Sequence, residues 1–186
     1  MADVKVLALV GSLRAASINR QLAELAAETA PDGVTVTVFE GLGDLPFYNE
    51  DIDNDSVAAS VVALRTAAAD ADAALVVTPE YNGSIPGVLK NAIDWVSRMK
   101  DQPFALKPVA LQSAATGLLG GSRMQYHLRQ SLTSIDVVLF GRPEVIITFA
   151  GQKFDDKLEL KDQATIDLIK QQLAGFEKLI RKVTGK

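Results

Sequence analysis

The sequence predicts a doubly wound α/β fold, in which a parallel β-sheet is covered by helices on both faces. Five short apolar segments alternate with helical patterns along the 186 residues of the chain. Each segment is almost continuously apolar, which is typical of a strand buried on both faces of a parallel sheet. Alternating strands and helices form such a sheet because each crossover returns to it through a helix. No internal repeat, low-complexity tract or linker interrupts the pattern, so we expect one domain over residues 1–186.

The strands and helices can be assigned in order. The first strand is predicted at Val4–Val10, a valine- and leucine-rich run that ends at Gly11. Later strands are expected at residues 34–39, 73–78, 108–113 and 143–149, with the apolar residues 137–140 leading into the last of them. Helices are expected at residues 18–30, 56–71, 86–100, 123–135 and 164–183. The last helix is amphipathic, because its apolar residues recur at three- and four-residue spacing.

The composition excludes several classes of protein. The net charge is −4, from 19 basic and 23 acidic residues that are well mixed, so the basic stripe of a nucleic-acid-binding protein is absent. Cysteine is absent, which excludes disulfides and thiolate metal sites and fits a reducing compartment. The apolar run Val6–Val10 is far too short for a signal core or a membrane span. We therefore expect a cytoplasmic protein without a membrane span.

Polar and small residues are concentrated where a ligand would bind in this fold. In open parallel sheets, ligands bind beyond the carboxyl ends of the strands. The stretches that follow the first, third and fourth predicted strands are "GSLRAASINR", "TPEYNGS" and "SAATGLLGGSR". They are rich in glycine, serine, threonine and asparagine, which predicts a binding site at this edge of the sheet.

The first of these stretches has the donors of a phosphate site. Gly11 permits a sharp turn of the backbone. Ser12 and Ser17 offer hydroxyl groups and Asn19 an amide, while Arg14 adds a permanent positive charge. The helix that follows points its free N–H groups and the positive end of its dipole to the same place. Residues 11–19, called the phosphate loop below, are therefore predicted to bind a phosphate monoester.

Two familiar phosphate motifs do not match this loop. The triphosphate-binding loop G-x-x-x-x-G-K-[ST] requires a lysine that is absent here, and the fingerprint G-x-G-x-x-G has Leu13 and Ala16 in place of its later glycines. A purely structural alternative is that Ser17 only caps the helix.

The second stretch has features that suit a flat ring. Pro79 stiffens the chain and Gly83 permits a turn. Between them, residues 80–82 bring an aromatic face and backbone amides to the ligand edge of the sheet. A polar-edged heteroaromatic ring would fit this arrangement. The alternative is a surface turn, with a solvated glutamate and with Ser84 capping the next helix.

The chain as a whole resembles the NAD(P)H-dependent FMN reductases of the flavodoxin-like superfamily. The resemblance is carried by "GSLRAASINR" (11–20) and "TPEYNGSIPGVLKNAIDWVSR" (78–98), and "KPVALQSAATGLLGGSRMQYHLRQSL" (107–132) narrows it to the quinone and chromate reductase branch. It covers nearly the entire chain. It implies a five-stranded parallel sheet of order 2-1-3-4-5.

The resemblance also implies the residues that contact FMN. Phosphate contacts are expected from the phosphate loop, namely Gly11, Ser12, Leu13, Arg14, Ser17, Ile18 and Asn19. The isoalloxazine ring would be lined by Pro79, Glu80, Tyr81, Asn82 and Gly83, and its other side closed by Ser113, Ala114, Ala115, Thr116 and Gly117. Relatives often carry hydroxyl residues where Ala114 and Ala115 stand, so only backbone hydrogen bonds are expected there.

The reaction implied by the resemblance has two steps. NADPH or NADH passes a hydride to bound FMN and dissociates, and an acceptor then takes two electrons from the same face. Quinones are the expected acceptors, with chromate, azo compounds and ferric chelates as further ones. The flavin carries the chemistry, so no catalytic side chain is required. His127, the only histidine, is interpreted as structural rather than as part of a Ser-His hydrolase.

The helix predicted at residues 86–100 is apolar on two adjacent rows, whereas one row is enough to cover a sheet. The second row suggests a neighbouring copy of the chain, in line with the dimers or tetramers that the resemblance implies. Trp95, Arg98, Tyr126 and Glu144 are placed near that subunit boundary. The alternative is that Trp95 belongs to the core of one chain.

Other functions stay open at this point. Flavin could be a diffusing substrate that is reduced for a partner enzyme, or the chain could be an electron carrier or a flavin sensor without turnover. The mild net charge of −4 disfavours a carrier. The segment "DIDNDS" begins like a calcium loop, but Ser56 and Val62 replace its glycine and glutamate, so no metal site is expected. Residues 40–55 form the longest irregular stretch, which could shape the acceptor pocket.

Overall fold

The computed structural model describes residues 2–186, which form one parallel sheet between two layers of helices. The strands are β1 (Val4–Val10), β2 (Val34–Val38), β3 (Ala73–Val77), β4 (Pro108–Ala114), β5 (Val138–Leu139) and β6 (Val145–Ile147). They are joined by α1 (Ile18–Glu28), α2 (Ala59–Asp70), α3 (Gly87–Ser97) and α4 (Ser122–Thr133), and α5 (Gln163–Thr184) follows the last strand. Short 3₁₀ turns lie at Leu42–Asp44, Glu50–Ile52 and Ala150–Gln152.

The sheet has the expected order. Strands β2, β1, β3, β4 and β5 follow one another, and every pairing is parallel. The last strand differs from the expectation, because it is divided into β5 and β6, which both pair with β4. Pro143 lies between the two parts and has no N–H group to donate to the ladder. The doubly wound fold with order 2-1-3-4-5 is therefore confirmed, with a sixth short strand.

The two faces of the sheet bury separate apolar clusters. Helices α1 and α5 cover one face, where Leu22 and Phe176 pack against β1, β3 and β4. Helices α2, α3 and α4 cover the other face, where Leu64, Trp95 and Leu128 are fully buried. Both faces of the central strands are therefore buried, which explains why the sequences of those strands are almost continuously apolar.

Residues 40–55 cover the apolar row of α3 that contains Trp95, within the same chain. Trp95 has no exposed surface, and its Nε1–H donates to the carbonyl oxygen of Pro46 at 2.7 Å. The ring of Tyr48 meets the indole edge-on, with 5.1 Å between ring centroids. Trp95 is thus a core residue of one chain, which corrects the expectation that it lies at a subunit boundary. The wide apolar arc of α3 is explained by this segment and needs no neighbouring subunit.

The same segment is held to α2 by an ion pair. The guanidinium of Arg65 donates to both carboxylate oxygens of Asp53, at 2.8 and 2.9 Å, and also to the backbone carbonyl of Trp95 at 3.1 Å. These hydrogen bonds lower the pKa of Asp53 below its ordinary value. Residues 40–55 are therefore attached to α2 as well as to α3.

Within residues 2–186, no helix is both long enough and apolar enough to cross a membrane.

Candidate functional site

The three loops singled out from the sequence meet at the carboxyl edge of the sheet. They enclose a pocket of about 190 Å³. Its lining residues are Ser12, Arg14, Ser17, Ile18, Asn19, Pro79, Glu80, Tyr81, Ala114, Ala115 and Thr116. The pocket thus joins the predicted phosphate donors to the predicted ring contacts, which lie about 60 to 100 residues further along the chain.

Gly11 sets how closely β1 approaches β3 at this edge. A Cβ atom on Gly11 would lie 2.0 Å from Oγ1 and 2.7 Å from Cβ of Thr78, which is far inside contact distance. The N–H of Gly11 donates to the carbonyl of Val77 at 3.0 Å. Gly11 does not line the pocket itself, but it allows the phosphate loop to leave the sheet directly beside the residues that begin the ring loop.

Ser17 caps α1, and it also lines the pocket. Its Oγ accepts a hydrogen bond from the N–H of Arg20 at 3.2 Å. The capping alternative is therefore correct in part, but the hydroxyl proton of Ser17 is not used by that bond. The N–H groups of Ile18 and Asn19 have no partner within the helix, because they belong to its first turn. The start of α1 consequently supplies donors for an anion.

Arg14 is the cation of the phosphate loop. It is one of the residues that line the pocket, and among residues 2–186 it forms no ion pair with a carboxylate. Arg20, the other arginine of the motif, is engaged by Glu40 and Glu24, which accept its hydrogen bonds and raise the pKa of the guanidinium. Only Arg14 is thus available to a phosphate at this place.

Asn19 links the phosphate loop to the end of β4. Its Nδ2 donates to the carbonyl of Ala114, and its Oδ1 accepts from the N–H of Ala114, both at 3.0 Å. The side chain is almost fully buried. Asn19 therefore holds two walls of the pocket at a fixed separation, and one hydrogen of its amide remains for a ligand.

Residues 79–84, called the ring loop below, form a tight turn. The N–H groups of Tyr81 and Ser84 donate to each other's carbonyls at 3.1 and 2.9 Å. Asn82 and Gly83, the two central residues of the turn, have φ angles of 51° and 74°. A two-residue turn of type I′ requires positive φ at both central residues. The turn presents Tyr81, which is 45% exposed, beside the pocket.

Two features of the surface-turn alternative, the solvated glutamate and the capping serine, are not found in the ring loop. The carboxylate of Glu80 is only 9% exposed and contacts the start of α4, where Arg123 Nη2 lies 2.7 Å from Oε1. Ser84 does not cap α3, since the residue at that position is Pro86 and makes no side-chain hydrogen bond. The Ser84 hydroxyl instead lies 3.2 Å from Nδ1 of His127. Both ends of the ring loop are therefore attached to α4.

The third wall of the pocket consists of Ala114, Ala115 and Thr116. Ser113 faces away from it, because its Oγ donates to the carbonyl of Gly120 at 2.7 Å and accepts from Gln125 at 2.9 Å. Gly121 has a φ angle of 94°, and a Cβ there would lie 2.8 Å from Cβ of Ser113. Ser113 thus shapes the segment without lining the pocket.

Several predicted residues lie beside the pocket and do not line it. They are Gly11, Leu13, Asn82, Gly83, Ser113 and Gly117. The three remaining boundary residues do not line the pocket either. Arg98 lies over the ring of Tyr48 at 5.6 Å, Tyr126 is 56% exposed on α4, and Glu144 pairs with Arg129 at 3.3 Å. Whether these three contact a neighbouring subunit stays a prediction.

The sequence did not reveal how α4 supports the site. Arg123, the N–H of Met124 and the buried amide of Gln125 hold the ring loop and the third wall. Nothing in the sequence pairs them with Glu80 or Ser113, which precede them by 12 to 44 residues. The only signal was the pair Gly120–Gly121, which marks a turn of restricted shape before α4. Within residues 2–186, no group of three metal-ligating side chains is present.

Comparison with protein families decides the assignment. The model of the family described as NADPH-dependent FMN reductase matches residues 4–152. The chain belongs to this family. The match covers all three walls of the pocket, from the phosphate loop to α4.

Individual proteins are similar to this chain over nearly its whole length. A quinone reductase of Escherichia coli strain K12 is 41% identical over 182 residues, which are 97% of each chain. An NAD(P)H-dependent FMN reductase of Pseudomonas aeruginosa is 42% identical over 183 residues, or 98% of each chain. Among solved structures, a flavoenzyme NAD(P)H:(acceptor) oxidoreductase from Paracoccus denitrificans superposes with a TM-score of 0.87 at 32% identity, covering 96% of this chain and 98% of that one. The chain is thus an oxidoreductase of the FMN reductase family.

Proposed function

We propose that this chain binds FMN in the pocket and uses it to transfer electrons from NAD(P)H to quinones. The observation that carries the proposal is the pocket itself, which joins an unpaired arginine and a helix start to two loops that suit a flat ring. Membership of the NADPH-dependent FMN reductase family supports both the cofactor and the reductant.

The residues present fit FMN. A phosphate dianion needs several donors and a positive charge, which Arg14, the hydroxyl groups of Ser12 and Ser17 and the first N–H groups of α1 supply. The pocket of about 190 Å³ is smaller than most small-molecule sites, which span about 300–1,000 Å³. It would therefore enclose the phosphate and one edge of the ring, and leave a face of the ring open.

The protein's own groups bind and orient the cofactor. The ring loop would contact the ring on one side, and Ala114–Thr116 would contact it on the other, through backbone groups at the two alanines. FMN, when bound, accepts a hydride and delivers two electrons, so no side-chain nucleophile is needed. Backbone N–H groups near the ring would stabilise the negative charge that reduction adds.

The open ring face favours a ping-pong order, in which the nicotinamide leaves before the acceptor binds to the same face. Quinones are the acceptor class that the relatives support best. Chromate, azo compounds and ferric chelates are further acceptors that an open face would admit.

The proposal includes a homo-oligomer, dimeric or tetrameric, in the cytoplasm. Large apolar side chains are exposed near the pocket, including Leu118 and Leu119 beyond the third wall and Tyr81 in the ring loop. Such residues would be protected by a second copy of the chain. The absence of cysteine fits a reducing compartment.

The proposal is tested by spectroscopy without oxygen. The purified protein is saturated with FMN and freed of excess cofactor, and its visible spectrum is recorded before and after addition of NADPH and then of a benzoquinone. We expect the flavin absorbance to bleach with NADPH and to return with the quinone. A control with free FMN at the same concentration measures the uncatalysed reaction.

Each other result identifies one of the alternatives. A protein that binds FMN but is not bleached by NADPH or NADH would be a carrier or a sensor, and the proposal would be wrong. After reduction by NADPH the sample is also passed through an ultrafiltration membrane that retains the protein. A protein whose reduced FMN appears in the filtrate would be a flavin reductase that treats FMN as a diffusing substrate.

A further inference from the structure

Glu80 is the one acidic residue among those that line the pocket. Its side chain is 9% exposed, so this negative charge lies largely inside the protein, next to the place proposed for the ring. Reduction of FMN adds negative charge to the ring, and a carboxylate nearby opposes that addition. The site therefore contains a group that disfavours the reaction unless its charge is balanced.

The start of α4 balances the charge of Glu80. Oε1 accepts a hydrogen bond from Nε of Arg123 at 2.9 Å, and Nη2 of the same guanidinium lies 2.7 Å from Oε1 as an ion pair. Oε2 accepts from the backbone N–H of Met124 at 3.2 Å, within the first turn of α4, where the helix dipole is positive. Both carboxylate oxygens are thus occupied by donors from one helix end.

Arg123 can be altered without opening the core. Its side chain is 62% exposed, while that of Glu80 is not. The guanidinium lies along the ring-loop turn, where a Cβ on Gly83 would be 3.9 Å from Cζ of Arg123. The cation therefore lies along the outside of the loop, while Glu80 is the member of the pair that belongs to the pocket lining.

We propose that Arg123 and the start of α4 control the reduction potential of bound FMN by neutralising Glu80. Arg123 is then a positioning and charge-balancing residue, since it acts on the ring through Glu80. This inference rests on the proposed function, because it requires FMN in the pocket.

The proposal predicts opposite effects for the two members of the pair. In Arg123→Gln the carboxylate keeps only the Met124 N–H, so reduced FMN should be bound less tightly relative to oxidised FMN, on the order of tenfold, and the midpoint potential should fall. In Glu80→Gln the pocket loses its negative charge, so the potential should rise. The double variant should lie closer to the wild type than Arg123→Gln does.

The experiment measures the midpoint potential of FMN in each variant, together with the affinity for oxidised FMN and the thermal unfolding midpoint. Arg123→Lys keeps the positive charge and should retain a potential near that of the wild type. The matched control is the exposed pair Lys90–Asp94 on α3, also 2.7 Å apart, altered as Lys90→Gln and Asp94→Asn. These two substitutions should leave the potential unchanged.

Opposite shifts in the two single variants support the proposal. Shifts in the same direction, or unchanged potentials, would mean that the pair only holds the loop in place, and would overturn the inference while the proposed function stands. Failure of the wild-type protein to bind FMN would overturn the proposed function and this inference together.

Discussion

At the scale of single residues, Gly11 allows a contact between strands that no other residue would allow. Its Cα faces the side chain of Thr78, and an added methyl group would lie 2.0 Å from Oγ1. The substitution Gly11→Ala should therefore push β1 and β3 apart at the edge that carries the pocket. We expect the free energy of unfolding to fall by about 1–3 kcal/mol, as for other overpacked sites, when measured by urea denaturation.

Gly117→Ala is the matched control for this substitution. A Cβ on Gly117 would meet no atom within 4 Å, so its effect should stay within about 0.5 kcal/mol. Equal losses for the two alanine variants would show that the close approach at Gly11 does not matter.

Single residues also show which features of the site a sequence alone does not predict. Donor groups such as Arg14 and Ser17 can be predicted from their chemistry and from their place after a strand. Their partners cannot be predicted, because a hydrogen bond such as that from Asn19 to Ala114 joins residues 95 positions apart. A buried serine such as Ser113 looks the same in a sequence as one that faces a ligand.

At the scale of elements, the segment 40–55 depends on the side-chain amide of Asn91. Its Oδ1 accepts from the N–H of Tyr48 at 2.8 Å, and its Nδ2 donates to the carbonyl of Pro46 at 2.9 Å. Removing the amide leaves the N–H of Tyr48 without this partner. Asn91→Ala should lower the free energy of unfolding by about 1–3 kcal/mol, and it should speed amide hydrogen exchange at Tyr48.

Lys90→Ala, on an exposed position of the same helix, is the control for Asn91→Ala. It should change the free energy of unfolding by less than about 0.5 kcal/mol. It should leave the rate of amide hydrogen exchange at Tyr48 unchanged. Normal protection of the Tyr48 amide in Asn91→Ala would contradict the assigned role of Asn91.

The ion pair between Asp53 and Arg65 predicts how the stability of this segment depends on pH. The pKa of Asp53 is lowered in the folded state because Arg65 donates hydrogen bonds to it. A lowered pKa stabilises the fold above the unfolded pKa of about 3.9, and that contribution disappears as the pH falls through the folded value.

Asp53→Asn should therefore be less stable than the wild type at pH 7, and the difference should shrink below about pH 4. Urea unfolding of both proteins between pH 3 and pH 7 measures it. A difference that is constant across this range would show that the charge of Asp53 does not contribute.

The elements themselves were largely predictable. Val4–Val10 is confirmed in full, and the helices were found with their ends shifted by a few residues. The division of the last strand into β5 and β6 was only hinted at by two apolar runs. The wide apolar surface of α3 was predicted, but it was assigned to contact with a neighbouring copy of the chain. The sequence does not show that residues 40–55 fold back over this helix.

At the scale of the whole molecule, the exposed face of Tyr126 on α4 is the place to test the oligomer. Its ring is 56% exposed in the single chain. If it contacts a neighbouring copy, Tyr126→Glu should bury a charge there and weaken assembly. Light scattering should then give a mass near the 19.9 kDa of one chain in place of a multiple of it.

Val183→Glu is the control, because Val183 is similarly exposed at 42% but lies at the end of α5. It should leave the mass of the assembly unchanged. A wild-type protein that is already monomeric would contradict the proposed oligomer.

The start of α1 and Arg14 are proposed to bind the phosphate of FMN, and a titration that compares ligands with and without a phosphate measures this contact. The apoprotein and its Arg14→Ala variant are titrated with FMN and with riboflavin, which has the same ring but no phosphate, and flavin fluorescence is followed. Lys178→Ala, which removes an exposed cation from α5, serves as the control for net charge. We expect Arg14→Ala to weaken FMN binding about tenfold to a hundredfold, as the loss of a charged hydrogen bond does, and to leave riboflavin binding unchanged. Equal affinities of the wild type for FMN and riboflavin, or an unchanged affinity of Arg14→Ala for FMN, would contradict the account.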